Sequence, residues 1–161
     1  MCWPTPPAPR FTPASVRLTA ADLRDRMARA RVKVAVADGA LLEAAGEMDE
    51  ALRRAPLRFV NGRARPGWLS LEQGEACSDH FENPFPTFST DPCLLYFTSG
   101  ATAHPKMVLH SHVSYPIGHL VTMARIGRRP GDMHANIGAP GWGKHAWSSF
   151  FAPWNAGAAP A

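Results

Sequence analysis

The stretch that decides the fold runs Leu94-Leu95-Tyr96-Phe97-Thr98-Ser99-Gly100-Ala101-Thr102-Ala103-His104-Pro105-Lys106. In it an apolar run rich in aromatic residues changes abruptly into small and hydroxyl-bearing residues, and the stretch ends on a proline and a lysine. Small residues let backbone N–H groups approach an anion, hydroxyls donate hydrogen bonds to it, and lysine adds a positive charge. The stretch therefore predicts a buried strand that leads into a tight anion-binding loop.

This loop differs from the P-loop of nucleotide-binding proteins, in which a glycine precedes the lysine and a hydroxyl residue follows it. Pro105 stands where that glycine belongs, and Met107 replaces the hydroxyl that would bind Mg²⁺. The sequence therefore excludes a P-loop.

The loop instead resembles the phosphate loop of the adenylate-forming enzymes, the AMP-binding superfamily of acyl-CoA synthetases. Their pattern is an aromatic residue, Thr-Ser-Gly, two hydroxyl residues, glycine, any residue and Pro-Lys, which aligns with Phe97 to Lys106. Two positions depart from it, since Ala101 replaces a hydroxyl residue and Ala103 replaces a flexible glycine. If the loop needs a positive φ at position 103, an alanine there costs about 1 kcal/mol.

Two further segments carry the resemblance. Val108-Leu109-His110-Ser111-His112 is similar to the segment that follows the loop, and Pro-Lys-Met is similar to the acetyl-, medium-chain- and benzoate-type acyl-CoA synthetases. Gly141-Trp142-Gly143-Lys144-His145-Ala146-Trp147 matches the aromatic motif that opens the helix beside the acyl pocket of those enzymes.

The resemblance implies an acid–CoA ligase that uses ATP, Mg²⁺ and CoA. In the family, a carboxylic acid and ATP give an acyl-adenylate and pyrophosphate, and the CoA thiol then displaces AMP. The residues implied to bind the ATP phosphates are Thr98, Ser99, Gly100, Ala101, Thr102, Ala103, His104, Pro105 and Lys106. Those implied to line the acyl pocket are Trp142, Gly143 and His145.

Core packing remains an alternative role for Trp142 and His145, because aromatic residues crowd this last helix. For Trp147 and Trp154 core packing is the preferred interpretation. The acid itself, short- or medium-chain or aromatic, stays open.

The resemblance covers roughly residues 17–158, and the family's enzymes are much longer. We therefore expect residues 1–16, which are rich in proline, to form a disordered lead-in, and residues 17–161 to form a partial AMP-binding N-terminal domain. On this interpretation the chain is an internal fragment that supplies the ATP phosphate loop. The alternative is a catalytically inactive truncated remnant, or an incomplete module that needs a complementary chain carrying the rest of the enzyme.

Composition argues against several other classes. The net charge is +4, but the basic residues of the first predicted helix alternate with acidic ones, as on a solvated face. The sequence lacks the basic stripe with interleaved aromatic residues that is typical of nucleic-acid binding. The three cysteines lack disulfide or metal spacing. With no signal-peptide pattern and no apolar run of membrane-spanning length, we expect a cytoplasmic protein. The partner that the family resemblance implies is a small carboxylic acid.

The sequence contains incomplete patterns for two other kinds of catalytic site. His110-Ser111-His112 on a strand would place both imidazoles on one face, but no further ligand completes a zinc site, so no metal is predicted. A serine hydrolase lacks its G-x-S-x-G elbow.

The coarse pattern predicts an α/β fold, a layered and mostly parallel sheet with flanking helices. Helices are expected at about 20–30, 40–54, 70–76, 112–125 and from Gly141 onward. Strands are expected at 32–37, 57–60, 94–97, 107–109 and 133–137.

Overall fold

The computed structural model describes residues 10–78, 80, 85–98 and 104–160. The chain divides into two compact units, one comprising Val16–Pro84 and the other comprising Met1–Ser15 with Phe85–Ala161. Each unit has its own elements.

The first unit begins with helix α1, Ala20–Ala30. Its start is a capping box: the Thr19 hydroxyl accepts a hydrogen bond from the Asp22 N–H at 3.1 Å, and the Asp22 carboxylate accepts one from the Thr19 N–H at 3.0 Å. Leu23 and Met27, one helical turn apart, are both buried. The predicted helix, its cap and its apolar face are confirmed.

A three-stranded parallel sheet follows in the order β1-β2-β3. Strand β1 is Val34–Asp38, β2 is Leu57–Asn61 and β3 is Leu69–Ser70. Val34 pairs with Leu57 and Phe59 pairs with Leu69. A 3₁₀ helix over Leu71–Ala76 then occupies the predicted position of the short helix.

The prediction of one helix over residues 40–54 is wrong. The structure has two helices, α2 at Gly39–Ala44 and α3 at Gly46–Leu52, separated by Ala45 at φ −140° and ψ 80°. Leu42 of α2 packs with Val60 and Trp68, whereas Met48 of α3 packs with residues of α1. The break lets the two helices bury their apolar sides in different clusters.

The second unit is built on an antiparallel hairpin of β4, Pro92–Thr98, and β5, Lys106–Ser111. On the other side of β4, the Phe11 N–H donates to the Cys93 carbonyl and the Leu95 N–H donates to the Phe11 carbonyl, both at 2.8 Å. Tyr96 and Phe97 are the buried residues of β4. Of the four strand pairings among the described residues, only this hairpin is antiparallel, so the mostly parallel α/β fold is confirmed.

Helix α4, Ser114–Ile126, follows the hairpin. Pro116 lies in its first turn, where a backbone N–H has no intrahelical acceptor, so the proline is compatible with the helix. Strand β6, Met133–His134, is shorter than predicted and pairs in parallel with β7, Ala159–Pro160.

The last helical segment covers residues 143–155, as α5 at Gly143–His145, a π-helix at Ala146–Phe151 and α6 at Ala152–Asn155. It starts two residues later than predicted because Gly141 forms a turn with a φ of +86°. A Cβ at this position would press on the backbone of Ala14 and Ser15, so the turn requires glycine.

Within the part of the chain that the structure describes, no helix is both long and apolar enough to cross a membrane. Of the proline-rich lead-in, residues 1–9 lie outside the described residues, and Phe11 makes the backbone contact with β4. The predicted disorder of residues 1–16 and the domain boundary at residue 17 stay predictions.

Candidate functional site

The two ends of the hairpin lie side by side. Thr98 is the last residue of β4 and pairs with Lys106, the first residue of β5. The Thr98 hydroxyl donates to the Lys106 carbonyl at 3.5 Å. Directly opposed residues of an antiparallel pair share one face of the sheet, so both side chains belong to the same face.

The predicted phosphate loop joins these two ends. Its members Ser99, Gly100, Ala101, Thr102 and Ala103 lie outside the described residues. His104 is exposed and Pro105 is half-buried. The structure therefore places the flanks of the predicted loop, Thr98 and Lys106, and the role of the loop itself stays a prediction.

A cleft of about 410 Å³ opens on the hairpin face that carries Thr98. Its walls come from β4, β5, α4 and the last helical segment, and are formed by Tyr96, Thr98, Val108, His110, Thr122, Gly143, Lys144, Trp147 and Ser148. Tyr96 and Thr98 are two residues apart on one strand and so face the same side. Gly143 lies against the Tyr96 ring, and a Cβ there would be 3.5 Å from the ring carbons.

Trp147 forms the wall of the cleft next to α4. Its indole N–H donates to the Thr122 hydroxyl at 2.6 Å. The ring also makes edge-on contacts with Tyr115 and His119, at centroid distances of 5.0 and 4.7 Å. Hydrogen bonding and aromatic packing thus fix the indole from the α4 side.

Tyr96, which lines the cleft, shares a hydrogen bond with Tyr115 of α4, with 2.9 Å between the two hydroxyl oxygens. Burial raises the pKa of Tyr115, and the hydrogen bond with Tyr96 raises it further. The Tyr115 phenol is therefore neutral at physiological pH. The two hydroxyl oxygens are engaged with each other.

His119 lies behind Trp147 and is 4% exposed. Its ring stacks on Phe151 with a centroid distance of 4.5 Å and an interplanar angle of 8°. Among the described residues its Nε2 has no hydrogen-bond partner. Burial lowers the pKa of His119, and the neighbouring His110 adds to the effect, so the ring is neutral.

His110, considered above as half of a histidine pair, packs instead against aromatic rings. Its ring centroid lies 5.3 Å from Tyr115 and 5.6 Å from Trp147. In the part of the chain that the structure describes, no three His, Cys, Asp or Glu side chains come together as metal ligands.

The three residues predicted to line the acyl pocket have different positions. Gly143 lines the cleft, whereas Trp142 is 53% exposed and neither it nor His145 is among the lining residues. His145 Nδ1 is within hydrogen-bonding distance of the Gly138 carbonyl and lies 3.3 Å from the Ser149 hydroxyl. The structure does not test the predicted role of any of the three.

Sequence reasoning missed part of the cleft. Trp147 was assigned to core packing, yet it both packs on α4 and lines the cleft. Core packing of Trp154 is wrong, since that side chain is 58% exposed. A signal for Trp147 exists in the sequence: Tyr115, His119 and Thr122 recur at helical spacing and mark the stripe of α4 on which a large ring can lie.

The match to known proteins extends over nearly the whole chain. The model of the family described as AMP-binding enzyme matches residues 10–159. The chain belongs to the AMP-binding enzyme family. The family predicted from the loop and the aromatic motif is thereby confirmed.

Relatives of this AMP-binding chain include characterised ligases. It is 37% identical over 149 residues to 4-hydroxybutyrate–CoA ligase 1 of Metallosphaera sedula, covering 92% of this chain and 25% of that protein. It is 35% identical over 147 residues to the human mitochondrial acyl-coenzyme A synthetase ACSM5, covering 87% of this chain and 24% of that protein. The chain thus spans about a quarter of the length of the curated relatives it matches.

The fold agrees with this membership. The anthranilate CoA ligase AuaEII, solved in complex with anthranoyl-AMP, superposes with a TM-score of 0.72 at 20% identity, covering 89% of this chain and 28% of that one. The AMP-binding chain therefore has the adenylate-forming ligase fold over the part that is matched.

Proposed function

We propose that this chain provides the ATP phosphate loop and one wall of the acyl pocket in an ATP-dependent acid–CoA ligase. The proposed reaction joins a carboxylic acid to AMP with release of pyrophosphate and then transfers the acyl group to CoA. The names of the relatives, a 4-hydroxybutyrate–CoA ligase and an acyl-coenzyme A synthetase, support this class of reaction.

The observation that carries the proposal is the position of Thr98. This residue lines the cleft and is also the point at which the predicted phosphate loop begins. An acid with its acyl group in the cleft would therefore have its carboxylate next to the loop. Adenylation needs this arrangement, because a carboxylate oxygen must attack the α-phosphorus while pyrophosphate leaves from the opposite side.

Lys106 is proposed to bind the leaving phosphates. It shares the hairpin face with Thr98 and is exposed, so its ammonium is accessible to a polyanion. The reaction brings a negative carboxylate towards a triphosphate, and a fixed positive charge next to the β- and γ-phosphates offsets the repulsion. Hydroxyl and backbone donors of residues 98–103 are proposed to add to this effect.

Mg²⁺ and CoA are proposed to participate as in the family. Carboxylate and carbonyl oxygens are the usual protein ligands of Mg²⁺, and no carboxylate is among the residues that line the cleft. We therefore assign no Mg²⁺ ligand to the described residues of this chain. The ion would supply charge neutralisation of the triphosphate when bound with ATP.

The test is acid-dependent exchange of labelled pyrophosphate into ATP. It is measured for the 161-residue chain and for a chimera in which this chain replaces the matching stretch of the Metallosphaera sedula ligase. Lys106→Ala is expected to lower exchange by a factor of about 10²–10³, whereas Lys33→Ala, an exposed lysine of the other unit, leaves it unchanged. Equal exchange by the Lys106→Ala protein and the unsubstituted protein would contradict the proposed role of the lysine.

The same assay separates the main proposal from the alternative of an incomplete module. Exchange by the chimera alone would mean that this chain carries a competent phosphate loop but needs additional protein to work. A folded chimera without exchange for any acid would favour an inactive remnant.

A further inference from the structure

We propose that Gly118 on α4 is a specificity-determining residue, because it makes room for the indole of Trp147 and thereby sets the width of the cleft. The inference rests on the proposed function of the cleft as the acyl site.

The first step is the arrangement of α4. Tyr115, Gly118, His119 and Thr122 follow one another at intervals of three, one and three residues, which puts all four on one stripe of the helix. Tyr115 and His119 contact the Trp147 ring, and Thr122 accepts a hydrogen bond from its Nε1. The indole therefore lies along this stripe, and Gly118 is the position without a side chain.

The second step is the lack of space at position 118. A Cβ built there would overlap the Cη2 and Cζ2 atoms of the Trp147 indole. The neighbouring side chains cannot move aside easily, since the phenol ring of Tyr115 and the imidazole of His119 already contact the indole. The backbone of α4 is in regular helix here, so an added methyl group is accommodated chiefly by movement of the indole away from the helix.

The third step is the direction of that movement. Trp147 and Thr122 both line the cleft, so the open space beside the indole is the cleft. Val108 and His110 of β5 also line the cleft, and the centroid of the His110 ring lies 5.6 Å from that of the indole. An indole displaced from α4 would narrow the cleft between the helix and the hairpin.

The chemistry of the walls selects the occupant. Tyr96 and Tyr115 pair their hydroxyls, and Thr122 accepts from Trp147, so several of the polar atoms around the cleft are already engaged. Aromatic and aliphatic surfaces provide most of the remaining contact, and the charged Lys144 is exposed. Such walls favour an aromatic ring or a medium-length alkyl chain over an acyl group with a polar end, which would displace these hydrogen bonds.

The experiment measures binding of acetate, hexanoate, benzoate and 4-hydroxybutyrate to the 161-residue chain, by titration calorimetry and tryptophan fluorescence. The unsubstituted chain is expected to bind hexanoate and benzoate more tightly than acetate or 4-hydroxybutyrate. Gly118→Ala is expected to weaken benzoate binding by about tenfold or more and acetate binding much less, since a pocket discriminates methylene-sized differences by such factors. The matched control is Gly74→Ala, because a Cβ at Gly74 meets nothing within 4 Å.

A second substitution distinguishes a narrowed cleft from a protein that fails to fold. Trp147→Phe in the Gly118→Ala background is expected to restore benzoate binding to within a few-fold, because the smaller ring fits beside the added methyl group. The indole N–H resonance of Trp147, assigned by its loss in Trp147→Phe, is expected to shift in Gly118→Ala and to stay in place in Gly74→Ala.

Three results would overturn the inference. These are an unchanged ratio of benzoate to acetate affinity in folded Gly118→Ala, an unshifted Trp147 resonance, and no binding of any acid to the unsubstituted chain. None of these outcomes decides the proposed function, which is judged by pyrophosphate exchange and its dependence on Lys106. If the protein binds acids in a way that depends on Gly118 but shows no pyrophosphate exchange, the result would contradict the proposed adenylation reaction and leave the inference about Gly118 intact.

Discussion

Asp49 shows how one buried carboxylate organises a unit. The residue is 5% exposed and accepts hydrogen bonds from Arg65 at 2.9 and 3.0 Å, from Arg53 at 3.1 Å and from the Trp68 indole at 2.9 Å. Burial acts to raise the pKa of Asp49, but the hydrogen bonds from Arg65, Trp68 and Arg53 outweigh it and hold the pKa below its ordinary value of 3.8. The carboxylate therefore links helix α3 to the loop before β3.

Replacing this carboxylate tests its contribution. Asp49→Asn is expected to lower the free energy of unfolding by about 2 kcal/mol at pH 7, discounted for the partly exposed arginines. Because the folded-state pKa is depressed, the stabilisation is present above pH 3.8 and is lost as the pH falls through the lower folded-state value. Urea unfolding as a function of pH should show this acid loss in the unsubstituted chain and not in the Asn variant. Asp25→Asn, which removes the more exposed pair with Arg29, is the control and is expected to cost less than about 0.5 kcal/mol.

His119 gives a second prediction of the same sign, in a higher pH range than that of Asp49. Burial and His110 lower its pKa, so the folded state binds the proton less readily than the unfolded chain, whose value is near 6.5. Stability is therefore full above about pH 6.5 and decreases as the pH falls below it. The groups that face the ring are His110 from β5, Tyr115 from α4 and Trp147 and Phe151 from the last helical segment.

His119→Phe is expected to remove this part of the pH dependence while keeping the stack on Phe151. Stability at pH 7 should be unchanged or higher, because the substitution also removes the Nε2 atom that has no partner among the described residues. Thermal unfolding between pH 7 and 5 measures the effect, with His134→Phe as a control. An equal slope in the His119→Phe and unsubstituted chains would show that another group titrates.

At the scale of the element, helix α1 ends on an unfavourable residue. Arg31, its C-cap, is left-handed at φ 50° and ψ 52°, the one described residue other than glycine with a positive φ. Arg31→Gly is expected to stabilise the chain by about 0.5–1 kcal/mol, since glycine adopts this conformation without strain. Arg31→Ala keeps the strain and serves as the control in the same denaturant titration. A glycine variant no more stable than the alanine variant would contradict the argument.

How far the sequence predicts each element depends on whether local chemistry or tertiary packing decides it. Thr19 and Asp22 fix the start of α1 by local hydrogen bonds, and the predicted helix is found at Ala20–Ala30. Ala45 has no local signal of that kind: the break there follows from the different clusters that Leu42 and Met48 join. Local hydrogen-bonding signals such as a helix cap can be recognised in a single sequence. Which of two hydrophobic clusters a residue joins cannot be recognised in this way.

The candidate site divides in the same way. The flanks of the loop, Thr98 and Lys106, are predicted by a contiguous motif and are brought together by the hairpin register. The cleft is formed by residues from four elements, and the Trp147 ring lies against the part of α4 that carries Gly118 and Thr122. Contacts between residues 25 positions apart, such as Thr122 with Trp147, are not encoded in a local pattern.

At the scale of the whole molecule, the chain exposes apolar surface on several elements. On α4, Ile117, Leu120 and Val121 are 53%, 49% and 60% exposed, and they lie on one face at helical spacing. On β1, Val34 and Val36 are 48% and 62% exposed, although strands of parallel sheets are usually covered on both faces. An uncovered apolar surface of this kind lowers solubility and binds hydrophobic dyes.

The 161-residue chain is therefore expected to bind 8-anilinonaphthalene-1-sulfonate in its folded state and to unfold at low urea concentration. Val121→Lys should reduce dye fluorescence and change the free energy of unfolding by less than about 0.5 kcal/mol, because the side chain is already in water. Leu42→Ala, at a residue that is 0% exposed, should instead cost about 2–5 kcal/mol and increase dye binding. Absence of dye binding together with a sharp unfolding transition at high urea would contradict an uncovered surface. If Val121→Lys leaves the chain's stability unchanged but abolishes pyrophosphate exchange by the chimera, the exposed face of α4 is one that the rest of the chimera covers.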